Sequence, residues 1–243
     1  MREITLLVPF YNQPQMLRKQ LDTFAEYPPG WRMIVVDDCS DIPAADVFEP
    51  HDKAELYRID ERVNWNRSCA RNIASQQAQT DWIVHVDTDH ILPPHSAAAL
   101  LVHPLAADRW YRFPRFRIGK ADDTRNKDDL PREAEFGQIR EHTDSYLITK
   151  SNYWRTGGYD PDYAGCLGGG GAFLARLEAM MGPSSALPTD ICTHVFTKHV
   201  IPDASVTGIN RDTSEYKRRK KDKEARGDTV PHDPIRYPFS RIR

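Results

Sequence analysis

The residues best suited to chemistry are two acids separated by a single residue, Asp87 and Asp89. They follow an apolar run at residues 82–86 that is typical of a buried strand. Because strand side chains alternate, we expect both carboxylates to point the same way where the strand ends. Paired carboxylates are hard oxygen ligands for Mg²⁺ or Mn²⁺, which in such sites also bind substrate phosphates. The sequence therefore predicts a divalent-cation site at Asp87 and Asp89.

Two histidines lie close to this acid pair in the sequence. His85 falls inside the apolar run, so we expect it in the core or on a face of the sheet. His90 follows Asp89 directly, but strand alternation would turn its side chain away from both acids. The local pattern therefore favours neither histidine as a ligand.

Strand and helix patterns alternate through the first half of the chain. Apolar runs at residues 4–8, 33–36, 55–59 and 82–86 predict strands, and amphipathic stretches beginning at Pro14 and Arg67 predict helices. This alternation predicts an α/β fold with a mainly parallel sheet flanked by helices. Ligands of such sheets bind at the carboxyl ends of the strands. Three polar clusters fall at those ends, at residues 10–12, 37–38 and 87–89.

The composition restricts the classes of function. With 243 residues, 28% of them charged and 40% hydrophobic, the chain is typical of a soluble globular protein, and its net charge of −2 does not indicate a polyanion as the main partner. Its four cysteines are widely spaced without a Cys-x-x-Cys, which favours reduced thiols in a cytoplasmic protein. No apolar run is as long as a membrane span, and the first residues enter a strand pattern without a signal peptide.

Taken together, four segments resemble the nucleotide-sugar glycosyltransferases of the GT-A fold, particularly those of family 2. The segments are residues 8–12, 35–40, 70–72 and 86–89, and they occur in the family's order at natural spacings. The resemblance extends from about residue 4 to residue 198. It implies a single-domain, Rossmann-like GT-A fold, and a metal-dependent transfer of a sugar from a nucleotide-sugar to an acceptor hydroxyl.

The resemblance also implies roles for individual residues. Asp37 or Asp38 would accept a hydrogen bond from the uracil of a UDP-sugar, and Tyr11 would stack on the base. Arg71 would pair with an acid or a phosphate, and Asp87 would reach the Mn²⁺ or Mg²⁺ through water or hold the ribose. The further residues expected around the nucleotide are Pro9, Asn12, Thr88 and Gly170.

The second half of the chain resembles two particular groups of these glycosyltransferases. Residues 157–161, the glycine run at 168–171 and His194 resemble the acceptor half of the polypeptide N-acetylgalactosaminyltransferases and related galactosyltransferases. In those families a histidine at the His194 position is the third protein ligand of the metal, and His199 is the alternative here. An imidazole beside two carboxylates favours Mn²⁺ over Mg²⁺.

One departure from the family pattern concerns the general base. The family has an acid just after its paired glycines, whereas this chain has Gly170, Gly171 and Ala172. Three explanations stay open at this point. The enzyme is retaining and uses the donor's own phosphate as base, or the protein binds the donor without transferring it well, or the base comes from one of three other acids. Those acids are Asp160, Asp162 and Glu178.

We expect one GT-A domain over residues 1–209, with a nucleotide-binding half at 1–93 and an acceptor half at 94–209. Residues 210–243 are predicted to form a flexible tail that carries a basic run at 216–223. That run is a solvated end, a lid that closes over the diphosphate, or a nucleic-acid contact. The acceptor is accordingly a glycan, a small molecule or DNA.

Two alternative functions follow from the same residues. A contact between the tail and DNA would suit a transferase that acts on a modified base in DNA, a chemistry found in some phages. The missing acid after the glycines would suit a non-catalytic module that binds a nucleotide-sugar or nucleic acid.

Overall fold

The centre of the molecule is an eight-stranded sheet. The computed structural model describes residues 2–63, 65–119, 138–198, 200–204 and 212–243. In spatial order the strands are β10 (Ser185–Ala186), β6 (Tyr111–Arg112), β9 (Tyr146–Thr149), β4 (Trp82–His85), β1 (Ile4–Phe10), β2 (Trp31–Asp37), β3 (Ala54–Ile59) and β12 (Phe239–Arg241). Strands β4, β1, β2 and β3 run parallel, whereas β9 and β12 pair antiparallel to their neighbours. The predicted mixed, mainly parallel α/β sheet in a single domain is confirmed.

Helices cover both faces of this sheet. They are α1 (Pro14–Ala25), α2 (Arg67–Gln77), α3 (Pro94–Val102), α4 (Lys150–Arg155), α5 (Gly169–Met181) and α6 (Ser214–Ala225), with short 3₁₀ turns at Ala44–Asp46 and Pro161–Tyr163. All seven residues of β1 are buried. Leu6 and Val8 pack into one hydrophobic cluster and Leu7 into the other, as strand alternation requires. A strand buried on both faces explains why the first apolar run is continuous.

A second, four-stranded sheet lies beside the carboxyl edge of the first. Its order is β5 (His90–Ile91), β11 (Thr193–Phe196), β7 (Arg115–Ile118) and β8 (Gln138–Ile139). Strand β11 runs antiparallel to β5 and parallel to β7. This small sheet places the segment after β4 next to strands from the second half of the chain.

The described part of the C-terminal segment, residues 212–243, is folded onto the domain. Helix α6 is anchored by Lys223, which is buried and lies 3.1 Å from Asp160 and 2.5 Å from Asp162. Strand β12 pairs antiparallel with β3 and extends the main sheet. The expectation of a flexible tail is therefore wrong for these residues, because the acids that hold the basic helix are distant in sequence.

Within the described residues, no helix combines the length and the apolar character that crossing a membrane requires.

Candidate functional site

Three strand ends bring the predicted polar clusters to one edge of the sheet. Strands β1, β2 and β4 are parallel neighbours that end at Phe10, Asp37 and His85. The Thr88 hydroxyl donates to the carbonyl of Pro9 at 2.6 Å, which ties the segment after β4 to the end of β1. The sequence placed these clusters correctly, and it is the hydroxyl of Thr88 that fixes their relative position.

The chain turns directly after β4 instead of continuing as a strand. Residues 88 and 89 form a turn that is closed by the backbone N–H of His90, which donates to the Asp87 carbonyl at 2.9 Å. Strand alternation therefore does not extend across residues 87–90. A turn brings its first and fourth residues together, so the expectation that His90 faces away from the acids is wrong for Asp87.

Asp87, His90 and His142 form a cluster of metal-ligand type. One ligand atom from each of the three lies within 4.8 Å of the others. The Nδ1 of His142 is 3.4 Å from Asp87 Oδ2, and the two imidazole rings meet edge to face with centroids 4.7 Å apart. A carboxylate with two imidazoles fits a first-row transition ion. Sequence reasoning missed His142, which lies in the segment before β9 and carries no local motif.

Buried charges fix the ionisation state of the cluster. Burial opposes ionisation of Asp87, but the buried Arg71 guanidinium paired with it, helped by His142, holds the pKa of this carboxyl below its usual range. Burial also lowers the pKa values of His90 and His142. The cluster therefore presents a carboxylate and two neutral imidazoles at neutral pH, which are the forms that bind metal ions. The predicted pairing of Arg71 with an acid is present.

Asp144 brings a second buried acid to the start of α5. Its carboxylate lies 3.1 Å from Arg67 of α2 and accepts a hydrogen bond from the Tyr159 hydroxyl at 2.8 Å. A Cβ atom added to Gly170 would lie 2.7 Å from Asp144 Oδ2, so this carboxylate fills the space that a side chain at position 170 would need. The glycine run thus lacks an acid of its own but packs against one from another part of the chain.

The two adjacent acids at the end of β2 differ in their hydrogen bonding. Asp37 accepts from the backbone N–H groups of Ser40 and Ala44 at 2.8 and 2.9 Å and from Arg58 at 2.7 Å, so it fixes the following loop. The oxygens of the buried Asp38 accept no well-formed hydrogen bond from any described residue, although the backbone N–H of Asn66 approaches them. Burial raises the pKa of Asp38 to about 8. Of the two predicted base contacts, Asp38 has the unused hydrogen-bonding capacity.

The loop after β1 contains Tyr11, the predicted stacking residue, and Asn12, whose side chain holds the loop in place. The Asn12 amide oxygen accepts from the backbone of Asp41 and Ile42 at 2.8 and 3.1 Å, so this side chain joins two loops. The Tyr11 ring meets Trp65 edge to face with centroids 6.3 Å apart. The Arg67 guanidinium lies over Trp65 at 5.1 Å. Trp65 and Arg67 therefore join Tyr11 at this edge, although the sequence singled out neither of them.

The three acids proposed as general bases lie in ion pairs outside this cluster. Asp160 and Asp162 hold Lys223, and Asp162 also pairs with Arg236 at 2.6 Å. Glu178, on α5, lies 3.4 Å from Arg112. Each acid therefore has a cation as its partner, and its role as a general base stays a prediction.

The structure does not bring His194 to the cluster. In the antiparallel pair of β11 with β5, His194 lies opposite Ile91 and Val195 lies opposite His90. Directly opposed residues share a face and neighbours alternate, so the side chains of His194 and His90 lie on opposite faces of the small sheet. The His194 ring instead lies 6.4 Å from the ring of His95. The alternative, His199, lies outside the described residues.

Asp89 borders the cluster. Its Oδ1 atom lies 3.9 Å from His90 Nε2, and its side chain is partly exposed. A role for Asp89 as a metal ligand therefore stays a prediction.

Comparisons with known proteins identify the family. The sequence profile described as "Glycosyl transferase family 2" matches residues 5–166. A Bacillus subtilis (strain 168) protein, TuaG, is provisionally named a teichuronic acid biosynthesis glycosyltransferase. It is 29% identical to this chain over an alignment of 94 residues, and the match covers 35% of this chain and 35% of that protein.

Solved structures share the fold at low sequence identity. The S. aureus TarS fragment 1–349 superposes with a TM-score of 0.59 at 15% identity, covering 83% of this chain and 63% of that one. The same fragment in complex with UDP gives 0.57 at 14% identity, covering 88% and 68%. The mannosyltransferase PcManGT from Pyrobaculum calidifontis, in complex with GDP-Man and Mn²⁺, gives 0.54 at 20% identity, covering 80% and 57%. These likenesses show the GT-A fold, and this chain spans about a third of TuaG and under two thirds of the TarS fragment.

Proposed function

The chain belongs to glycosyl transferase family 2, and from this premise we propose that it transfers a sugar from a nucleotide-sugar to an acceptor hydroxyl with the help of a divalent cation. The observation that carries the proposal is the turn at Asp87 to His90. It brings residues that could bind a cation to the carboxyl edge of a parallel sheet, where open α/β sheets bind their ligands.

We further propose a UDP-sugar as the donor. The oxygens of Asp38 offer an acceptor for the imide N–H of uracil. Tyr11 follows Phe10, whose carbonyl accepts from the Asp38 backbone N–H at 2.9 Å, so both residues come from adjacent strand ends and Tyr11 is the candidate to stack on the base. A buried carboxyl group with unmet hydrogen-bonding capacity is costly, so the N–H of a bound ligand at this position stabilises the site. TarS binds UDP in its solved complex, which supports this choice of nucleotide.

The chain's own contribution to catalysis is preorganisation. Arg71 holds Asp87, and Thr88 holds the turn against Pro9, so the carboxylate positions are set before the donor binds. Asp87 and Asp89 are the residues that would hold Mn²⁺ or Mg²⁺ against the diphosphate. When bound, the cation offsets the negative charge that develops on the leaving diphosphate.

The charge pattern of α6 does not favour DNA as the acceptor. Arg218 and Arg219 both pair with Glu215 at 2.7 Å, and Lys220 lies 3.7 Å from Glu224. Cations that acids already neutralise release few counterions from DNA. We therefore propose a glycan or small-molecule hydroxyl as the acceptor.

Two finer expectations accompany this proposal. All four cysteines are free thiols, which supports the proposed cytoplasmic location. The resemblance of the second half to the polypeptide N-acetylgalactosaminyltransferases stays a prediction.

The proposal is tested by sugar release from UDP-sugars and GDP-mannose with Mn²⁺, with Mg²⁺ and with EDTA. We expect cation-dependent release by the wild type and a loss of about 100-fold or more in Asp89→Ala. Asp52→Ala is the matched control, because this exposed acid precedes β3 and so lies at the opposite edge of the sheet. Undiminished turnover by a folded Asp89→Ala variant would refute the assignment.

A further inference from the structure

The structure assigns His90 and His142 to the divalent cation as protein ligands beside Asp87. This inference rests on the proposed function and deepens it in two ways. It adds two imidazoles to the predicted acid pair in place of His194, and it specifies a first-row transition ion where Mn²⁺ or Mg²⁺ was proposed.

The separations of the ligand atoms suit a single ion. Two ligands at right angles around an ion with bonds of about 2.1 Å lie about 3 Å apart. The Nδ1 of His142 and Oδ2 of Asp87 are 3.4 Å apart, and the three ligand atoms all lie within 4.8 Å of one another. Small side-chain movements therefore bring all three to one ion.

Hydrogen bonds hold both imidazoles in place. His90 Nδ1 bonds to the Ser145 hydroxyl at 2.5 Å, which leaves Nε2 for the metal. The backbone N–H of Asp144 donates to His142 Nδ1 at 3.2 Å, so coordination through this nitrogen requires that hydrogen bond to be given up. Arg115 Nη1 lies 3.4 Å from His90 Nε2, so metal binding requires this guanidinium to move aside.

The cluster is open on one side. The side chains of Asp87 and His142 are 19% and 26% exposed, whereas His90 is 4% exposed. These three protein ligands, with Asp89 as a predicted fourth, leave the remaining positions of a six-coordinate ion to ligands such as phosphate oxygens and water. The site therefore suits an ion shared between the protein and a diphosphate.

The ligand types predict which ions bind. Magnesium prefers oxygen ligands, whereas imidazole nitrogens favour first-row transition ions. For a given set of ligands, Co²⁺ binds more tightly than Mn²⁺. We therefore expect the affinity to fall from Co²⁺ to Mn²⁺ and much further to Mg²⁺.

The test is the binding of Mn²⁺ to the full chain, followed by electron paramagnetic resonance with and without UDP. We expect Mn²⁺ to bind and pulsed spectra of the bound ion to show coupling to ¹⁴N nuclei. His142→Ala should weaken Mn²⁺ binding about tenfold or more and reduce the nitrogen coupling. His194→Ala is the matched control, and it should leave both unchanged.

The wild-type spectrum keeps the inference falsifiable even if a variant fails to fold. Bound Mn²⁺ without nitrogen coupling overturns the ligand assignment, and so does a loss of Mn²⁺ binding in His194→Ala but not in His142→Ala. Failure to bind Mn²⁺ at millimolar concentration, with or without UDP, also overturns it. If Mn²⁺ binds with nitrogen coupling but no sugar is released, the metal site is supported and the transferase proposal is refuted. If sugar is released but bound Mn²⁺ shows no nitrogen coupling, the transferase proposal is supported and the ligand assignment is refuted.

Discussion

Two clusters of ionisable side chains in this molecule differ in composition and in accessibility. The open cluster comprises Asp87, His90 and His142 at the carboxyl edge of the main sheet. The closed cluster lies under α6, where Lys223 Nζ lies within 3.2 Å of three carboxylates. Those carboxylates belong to Asp160, Asp162 and Asp228.

The difference between the clusters separates structural acids from functional ones. In the closed cluster the buried Lys223 contacts three acids, and Arg236 pairs with Asp162 as well, so these ion pairs stabilise the docking of α6. In the open cluster, Arg71 fixes the carboxylate of Asp87, while two neutral imidazoles lie next to it and part of the surface stays accessible. Ligand atoms that converge at an accessible position are what a metal site requires.

The largest expected effect on stability comes from breaking the closed cluster. Lys223→Met leaves the buried Asp160 without its cation, so we expect a loss of about 3 kcal/mol in the free energy of unfolding. Asp162 is about a third exposed, which keeps the effect at the low end for a buried pair. Urea unfolding measures the loss, and the affinity for Mn²⁺ should not change.

The matched control for this variant is Lys221→Met, at an exposed position of the same helix. It should change the stability by less than about 0.5 kcal/mol. If both substitutions lowered the free energy of unfolding equally, the closed cluster would not stabilise the docking of α6.

A smaller effect is expected at the glycine run. Gly170→Ala forces a Cβ against the Asp144 carboxylate, so we expect it to cost about 1–3 kcal/mol and to weaken Mn²⁺ binding nearby. Gly171 has no atom within 4 Å of an added Cβ, so Gly171→Ala should be neutral or stabilise the helix by up to about 1 kcal/mol. Thermal unfolding of the two variants compares their stabilities directly. If Gly170→Ala is as stable as Gly171→Ala, Asp144 does not occupy this space.

A pH-dependent effect is expected at Asp38. Burial raises its pKa from 3.8 to about 8, so between these pH values the native state binds more protons than the unfolded state. The wild-type protein should therefore lose stability relative to Asp38→Asn as the pH rises from 5 to 8, by at most about 1.4 kcal/mol per pH unit. Denaturant unfolding of both proteins at pH 5, 6.5 and 8 measures this difference. A constant difference across the range would contradict an uncompensated buried carboxyl.

The smallest effect is expected on the exposed face of α6. Among the described residues, Lys217 and Lys221 take part in none of the ion pairs of this helix. The double variant Lys217→Gln, Lys221→Gln should change the stability by less than about 0.5 kcal/mol and leave sugar release unchanged. Titration with duplex DNA at several salt concentrations should show no specific difference from the wild type. A marked loss of DNA affinity in the double variant would favour DNA as the acceptor.

The fold and the location of the site could be predicted because they depend on local patterns. Buried parallel strands are continuous apolar runs, and the acids that follow them must lie at the same edge of the sheet. The positions of Asp38 and Asp87 directly after buried strands therefore predicted that both lie at the carboxyl edge of the sheet. They could not distinguish Asp38 from Asp37, because that difference depends on hydrogen bonds from Arg58 and the following loop.

The composition of the open cluster could not be predicted, because it depends on one turn and on one contact between residues distant in sequence. A turn at Thr88 and Asp89, in place of a continued strand, brings His90 towards Asp87. His142 reaches the same place from the segment before β9, and no local pattern signals that approach. The ion pairs of the acids near residue 160 could not be predicted for the same reason, because their cation lies about 60 residues further along the chain.

The most direct test of the account is thermal unfolding with UDP, with Mn²⁺, and with both together. A ligand that binds only the folded state raises the melting temperature. We predict a clear rise with UDP and Mn²⁺ together that is larger than the sum of the separate effects. It should persist in Asp52→Ala and disappear in Asp89→Ala. No shift with any nucleotide, or a shift that does not depend on Mn²⁺, would contradict a cation-dependent nucleotide-sugar site at this edge of the sheet.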